Sequence, residues 1–194
     1  MKDICRSTEN CHGYAKALLQ QIYGVKFFGL ECKDSPDLQD INNSIGIEVT
    51  KAVNPKMEKI LSAFQQRKKL DKRFVVFNDN SLIQFINESI EEKIYQIKRS
   101  YLDKINKLND GKYDGFKEVS LLIFVGLKGT IDLNLLLKIF ETDKKKNFKF
   151  VYLVAYDNFY EFDLEYKTYK IINYVNNGVN YKEIASEKSR FFWF

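Results

Sequence analysis

A single strand with a carboxylate in its middle constrains the fold of this chain more than any other feature. Residues 45–50 read IGIEVT and are apolar except for Glu48 and the last position. A charge buried in the centre of a strand is costly unless it is paired. Glu48 therefore requires a partner, a metal ion or a cleft. Asp37 follows Pro36 and precedes a short polar turn, so it shares that cleft if the two segments pair as a hairpin.

Apolar periodicity and boundary residues predict strands and helices along the whole chain. The predicted helices are a segment that starts after a cap at Ser7 or Thr8 and ends at Gly24, a segment that starts at Asn54-Pro55, residues 86–108 and residues 132–140. The predicted strands cover residues 25–32, a segment that starts at residues 36–38, and residues 45–53, 119–127, 148–156 and 159–164. Three successive strands, followed by strands separated by helices, are typical of an α/β fold with a mixed central sheet and helices on both faces.

Length, charge and cysteine content narrow the class of protein. A chain of 194 residues is suited to one domain, and a net charge of +5 permits a polyanionic partner without requiring one. Cys5, Cys11 and Cys32 form no paired framework, and together with His12 they lack the spacing of a zinc site. No signal-peptide pattern opens the sequence, and its apolar runs are too short to span a bilayer. These features predict a reduced, cytoplasmic protein of one domain without a membrane partner.

The element order, taken with the acidic residues, resembles the PD-(D/E)XK nuclease superfamily. Pro36-Asp37 is similar to the first part of its signature, and Glu48 in the third strand is similar to the second part. Glu9 matches the glutamate that many members carry on the first helix. The resemblance implies that these residues form one active site on the second and third strands.

Later parts of the chain also resemble this superfamily. The long helix that carries Lys104 and Lys107, followed by Tyr113 and the strand at residues 121–123, looks like the later core of some members. The resemblance implies a restriction-endonuclease-like αβββαβ core over about residues 9–127. It leaves a C-terminal extension with extra strands over about residues 128–194.

The function that the resemblance implies is metal-dependent hydrolysis of phosphodiester bonds, with DNA favoured over RNA as the substrate. Asp37 and Glu48 would be direct ligands of Mg²⁺ or Mn²⁺, because carboxylates are the hard oxygen donors that such ions take. The main-chain carbonyl of Val49 would be a further ligand. Glu9 would bind a second metal or orient a water, and Lys51 is the first candidate for the catalytic cation.

The sequence departs from the superfamily pattern at Thr50, where a lysine is expected two residues after Glu48. Side chains alternate along a strand, so Thr50 shares a face with Glu48 and Lys51 points to the other face. Three explanations are open. A β-bulge brings Lys51 round to Glu48, the next helix supplies the cation as Lys56 or Lys59, or there is no catalytic lysine.

The third explanation gives an alternative function, a catalytically degenerate nuclease fold that binds nucleic acid or protein. The C-terminal residues 191–194 read FFWF and form a strongly apolar end. We expect this aromatic tail to dock on the body of the protein, on a second copy in a homodimer or on a partner protein.

Overall fold

One mixed sheet organises the computed structural model, which describes residues 11–53, 89–126, 131–141, 145–155 and 158–173. Within these residues the sheet has seven strands, and they lie side by side in chain order. The strands are β1 (Glu31–Cys32), β2 (Leu38–Asp40), β3 (Ile45–Ala52), β4 (Glu118–Val125), β5 (Phe150–Val154), β6 (Asn158–Asp163) and β7 (Thr168–Asn173). The helices of the described part are α1 (Cys11–Tyr23), α2 (Ile90–Asn109) and α3 (Leu133–Phe140).

The sheet changes from antiparallel to parallel and back again. Strands β1, β2 and β3 form an antiparallel meander, and β4 then pairs with β3 in parallel. Strand β5 is parallel to β4, whereas β6 and β7 continue in antiparallel pairs. Parallel neighbours require a crossover, and α2 and α3 lie in the two crossovers. The predicted α/β class with a mixed sheet is confirmed.

The two faces of the sheet are covered by different helices. Leu121 and Ile123 of β4 belong to the core cluster that contains α2 and α3, and we call this side the α2 face. Leu122 and Phe124 belong to the cluster that contains α1, on the side that we call the α1 face. The parallel register places Glu48 beside Leu121, so Glu48 lies on the α2 face.

Helix α2 begins later than its apolar pattern predicts. Ser89 is its N-cap: the Ser89 hydroxyl accepts a hydrogen bond from the Glu92 amide at 3.2 Å, and the Ser89 amide donates to Glu92 Oε2 at 2.9 Å. This reciprocal capping box satisfies two amides that would otherwise lack partners. The helix therefore starts at Ile90 rather than at residue 86.

The prediction of a strand over residues 25–32 is wrong for most of its length. Gly24 has a φ of +56° just after α1, and residues Gly24–Phe27 form a 3₁₀ turn. Phe27 is buried, whereas Val25 is 91% exposed, so the side chains do not alternate between two faces. Only Glu31–Cys32 pairs as a strand, at the edge of the sheet.

Strand β7 was not predicted from the sequence. It lies at the edge of the described sheet, pairs with β6, and has side chains that are mostly exposed. An edge strand with little buried surface needs no alternation of apolar and polar residues, and the sequence accordingly shows none.

The cysteines differ from the expectation of three reduced thiols. Cys11 on α1 is a free thiol, whereas Cys32 on β1 is disulfide-bonded. The expectation is therefore wrong for Cys32.

Several predictions fall on residues outside the described ranges. These are the helix from Asn54-Pro55, with Lys56 and Lys59, Glu9 ahead of α1, and the aromatic tail at residues 191–194. Among the helices that are described, none combines the length and apolar character needed to cross a membrane.

The packing of α2 on the sheet predicts a position-dependent loss of stability. Ile105 is fully buried against the sheet, whereas Leu102 on the same helix is more than a third exposed. We expect Ile105→Ala to lower the free energy of unfolding by about 2–5 kcal/mol, because it leaves a cavity in the core. Leu102→Ala should cost less than about 1 kcal/mol in the same urea titration. Equal losses would contradict the assigned face of α2.

Candidate functional site

Asp37 and Glu48 are the residues next to the last pair of the β2–β3 hairpin, Leu38 and Ile47. Asp37 directly precedes β2, and a continuation of the register by one residue would set it across from Glu48. Residues directly opposite each other in an antiparallel pair project from the same face of the sheet. The Asp37 carboxylate also accepts a hydrogen bond from the Val49 amide at 2.8 Å. The hairpin therefore brings the two predicted carboxylates together.

The pKa of the Asp37 carboxyl reflects its proximity to Glu48. Burial and the negative charge of Glu48 raise the pKa of the Asp37 carboxyl. The Val49 amide, His12 and Lys104 act in the opposite direction but do not cancel these effects. Asp37 is therefore a carboxylate whose charge the fold disfavours, as expected for a group poised to receive a proton or a cation.

The charge of Glu48 is compensated by two lysines of α2. Only 6% of the Glu48 side chain is exposed, and its Oε1 accepts a hydrogen bond from Lys104 Nζ at 2.5 Å. Lys107 Nζ, one helical turn further on, lies 3.9 Å from the same oxygen. Lys104 is itself largely buried, whereas about half of the Lys107 side chain is exposed. Lys104 is thus the cation that makes the burial of Glu48 possible.

Two other polar side chains line the carboxylate pair. His12 of α1 places its Nε2 3.4 Å from Asp37 Oδ1, and its buried Nδ1 has no hydrogen-bond partner in the described part of the chain. The buried Tyr113 hydroxyl also lacks a hydrogen bond of ordinary geometry there. Burial and the neighbouring Glu48 and Asp37 charges raise the pKa of Tyr113 well above its usual value. The phenol therefore stays protonated and can donate a hydrogen bond into the site.

Lys51 lies on the opposite face of β3 from Glu48. The register between β3 and β4 advances one residue at a time from Ile45 to Ala52, so no bulge interrupts it. Lys51 consequently projects from the α1 face, where it interacts with Cys11. Burial raises the pKa of the Cys11 thiol, and Lys51 lowers it. The bulge that would bring Lys51 to Glu48 is absent.

The donors around Asp37 suit a hard divalent cation, although they do not form a complete metal cage. Two carboxylates supply oxygen atoms, and Val49 directs its amide towards Asp37, so its carbonyl points to the same strand edge. Within residues 11–53, 89–126 and the later described segments, no group of three or more His, Cys, Asp or Glu side chains is arranged to hold a metal ion. A further acidic ligand such as Glu9 would come from outside these ranges.

No protein-family model, curated protein or solved structure matches the chain. The chemistry of the site is therefore inferred from its own residues and their geometry.

Three members of the cluster were assigned no catalytic or ligand role from the sequence: His12, Lys104 and Tyr113. Lys104 could have been found, since it precedes the buried Ile105 and borders the apolar stripe of α2, where a lysine stem packs while its ammonium reaches a buried acid. The single histidine and Tyr113 carry no such signal, because their approach to Asp37 and Glu48 depends on how α1 and the segment after α2 pack.

The Glu48–Lys104 pair predicts unequal roles for the two α2 lysines in stability. We expect Lys104→Met to lower the free energy of unfolding at neutral pH by about 3 kcal/mol, because it leaves a buried carboxylate without its closest partner. Lys107→Met removes a half-exposed cation and should cost less than about 1 kcal/mol. The double variant Lys104→Met/Glu48→Leu should recover most of the loss. Urea denaturation measures all three, and equal losses for the two single variants would contradict the assignment.

The raised pKa of Asp37 predicts that its charge opposes folding. The Asp37 carboxyl binds its proton more tightly in the folded state than in the unfolded chain. Its contribution to the free energy of unfolding therefore falls as the pH rises from about 4, the pKa of an unfolded carboxyl, through the pKa of the folded state. Asp37→Asn keeps an oxygen for the Val49 amide and removes the charge. We expect this variant to gain stability relative to wild type between pH 4 and pH 7 in urea titrations.

The exposed Asp34, three residues earlier, provides the control for that series. Asp34→Asn should show no comparable gain over the same range of pH. A variant Asp37→Asn that is less stable than wild type at pH 7 would contradict the account.

Proposed function

We propose that this chain is a metal-dependent nuclease that hydrolyses phosphodiester bonds, with Mg²⁺ or Mn²⁺ as its cofactor and DNA as its preferred substrate. The observation that carries the proposal is the opposition of Asp37 and Glu48 in one hairpin, with a lysine ammonium on Glu48. Two carboxylates and a cation on one face are the groups that phosphodiester hydrolysis requires.

The topology around these residues supports the proposal. A helix, an antiparallel meander of three strands, a helix in the crossover and a fourth strand parallel to the third occur in that order. This order agrees with the αβββαβ arrangement that the resemblance to the PD-(D/E)XK superfamily implies, and the agreement supports the proposal. Asp37 directly precedes the second strand and Glu48 lies within the third, and these positions support the proposed correspondence with the two signature carboxylates.

Lys104 is a candidate for the catalytic cation that the three explanations for Thr50 did not include. Its ammonium reaches Glu48 from α2, whereas Lys51 projects from the opposite face. In the proposed reaction Lys104 holds the attacking water or the negative charge that develops on the phosphate. Lys107 is close by and more exposed, so it is suited to contact a substrate phosphate.

Asp37, Glu48 and the Val49 carbonyl would hold the metal ion, with Glu9 as a further ligand from outside the described ranges. The ion, when bound, supplies an acidified water and positive charge for the phosphate. His12 contacts Asp37 from the α1 side and restrains the orientation of its carboxylate. The Tyr113 hydroxyl remains a donor at the carboxylate pair.

A second candidate function is supported by the same ion pair. Lys104 already compensates the buried charge of Glu48, as it would in a protein that retained the fold without the chemistry. Such a protein would bind nucleic acid or another protein and would cleave nothing. Metal binding and cleavage separate the two candidates.

We expect calorimetric titration of the full chain with Mg²⁺ and Mn²⁺ to show a site that Asp37→Ala and Glu48→Ala each abolish. Asp34→Ala, a change of an exposed aspartate in the same segment, should leave the affinity unchanged. An absence of binding to wild type at millimolar concentrations of either ion would favour the non-catalytic candidate.

The same variants extend the test to cleavage of single- and double-stranded DNA. We expect Lys104→Ala to slow cleavage by about a hundredfold or more, the usual cost of losing a group that stabilises developing charge. Lys51→Ala should retain most of the activity, because its side chain lies on the other face. The reverse pattern would overturn the assignment of the catalytic cation to Lys104.

A further inference from the structure

Gly46 occupies a position where a strand residue would ordinarily carry a side chain. It lies in the interior of β3, two residues before Glu48, and pairs with Gln39 of β2 and with Val119 of β4. A glycine weakens the interior of a strand, and it often marks a place where other groups approach the backbone closely. Residues two apart on a strand share a face, so Gly46 lies on the α2 face, as Glu48 does.

Two side chains fill the space that a Cβ atom at Gly46 would need. Such an atom would lie 2.6 Å from Cγ of Pro36 and 3.1 Å from Cγ of Phe116. Ordinary contacts between carbon atoms are about 3.5–4.0 Å, so both approaches are too close. Pro36 is buried and its ring is rigid, and Phe116 packs against the core cluster beneath α2.

The contact with Pro36 bears directly on Asp37, the next residue. Pro36 is joined directly to Asp37, so the position of the Pro36 ring on β3 determines where the backbone of Asp37 lies. The hydrogen bond from the Val49 amide to Asp37 Oδ2 then fixes the carboxylate, across from Glu48. Any displacement of the ring moves the carboxylate relative to this amide. Glu48 lies on β3 and is paired with Lys104 of α2, so neither side chain belongs to the segment that carries Pro36 and Asp37.

We propose that Gly46 is a positioning residue for the site: its missing side chain lets Pro36 seat on β3 and so sets Asp37 opposite Glu48. The consequence for metal binding rests on the proposed function, whereas the positioning of Asp37 does not. Gly46 acts through Pro36 and Asp37 and touches neither metal nor substrate.

The test replaces Gly46 by alanine in the full chain and records two quantities. One is the affinity for Mn²⁺ by calorimetry, and the other is the amide signal of Val49 in a ¹⁵N-resolved NMR spectrum. We expect Gly46→Ala to weaken Mn²⁺ binding by about tenfold to a hundredfold, as for the loss of a group that orients a metal ligand. The Val49 signal should move, because its acceptor on Asp37 moves, while the signal of Val151 on β5 should not.

Gly115→Ala is the matched control. Its added Cβ atom would meet no heavy atom within 4 Å, although it lies next to Phe116. We expect this variant to keep the wild-type affinity and the wild-type Val49 signal.

The two quantities distinguish failure of this proposal from failure of the proposed function. If wild type binds no Mn²⁺ but Gly46→Ala moves the Val49 signal, the nuclease proposal fails and the positioning role stands. If Gly46→Ala leaves the Val49 signal unmoved, the positioning role is overturned whatever the affinity. If the signal moves and a measurable affinity is unchanged, the role of Gly46 in the metal site is overturned.

A double-mutant cycle keeps the proposal testable if Gly46→Ala does not fold. Pro36→Ala removes the ring atom that a Cβ at position 46 would meet. Gly46→Ala should therefore be better tolerated in the Pro36→Ala background than alone, both in folding and in the Val49 signal. Equal effects of Gly46→Ala in the two backgrounds would overturn the proposal.

Discussion

The buried ion pair between Glu48 and Lys104 is the interaction on which the arrangement of this protein depends. Strand β3 is apolar and buried from Ile45 to Val49 except for the charge of Glu48, and it lies between β2 and β4, so an unpaired carboxylate at this position would oppose folding strongly. Helix α2 satisfies this requirement because its apolar stripe packs on the sheet and places Lys104 at the edge of the contact. The parallel crossover from β3 to β4 and the charge balance of the site are therefore linked.

The site around this pair concentrates groups that a fold selected for stability alone would separate. Asp37 and Glu48 repel each other, and the buried Tyr113 hydroxyl finds no well-formed hydrogen bond in the described structure. Structural ion pairs usually remove such conflicts, whereas functional sites retain them because the conflict is relieved by a ligand or by the reaction. His12 and Lys104 lower the pKa of Asp37 but do not cancel the opposite effects of burial and of the Glu48 charge.

The sequence was sufficient for the features that depend on local pattern. The apolar runs of β3 and β4 and the helical stripe of α2 follow from alternation and spacing alone, and the closeness of Asp37 to Glu48 follows once the two segments pair as a hairpin. The identity of the cation did not follow, because Lys104 reaches Glu48 across 56 residues of sequence and several lysines were nearer. The close approach of Pro36 to Gly46 was equally hidden, since a glycine in a strand does not reveal which side chain covers it. Strand β7 could not be predicted, because an exposed edge strand does not require apolar and polar residues to alternate.

The order of the strands has a consequence for when the site can exist. Because neighbouring strands in the sheet are also successive in the chain, the sheet can grow outward from its N-terminal end as the polypeptide emerges. The β2–β3 hairpin needs only local contacts, but its central glutamate stays without a cation until α2 has been made and has docked. A nascent or truncated chain that ends before α2 would therefore hold both carboxylates and yet have no competent site. The charge of Glu48 is therefore compensated only after the crossover from β3 to β4 has been completed and α2 has packed on the sheet.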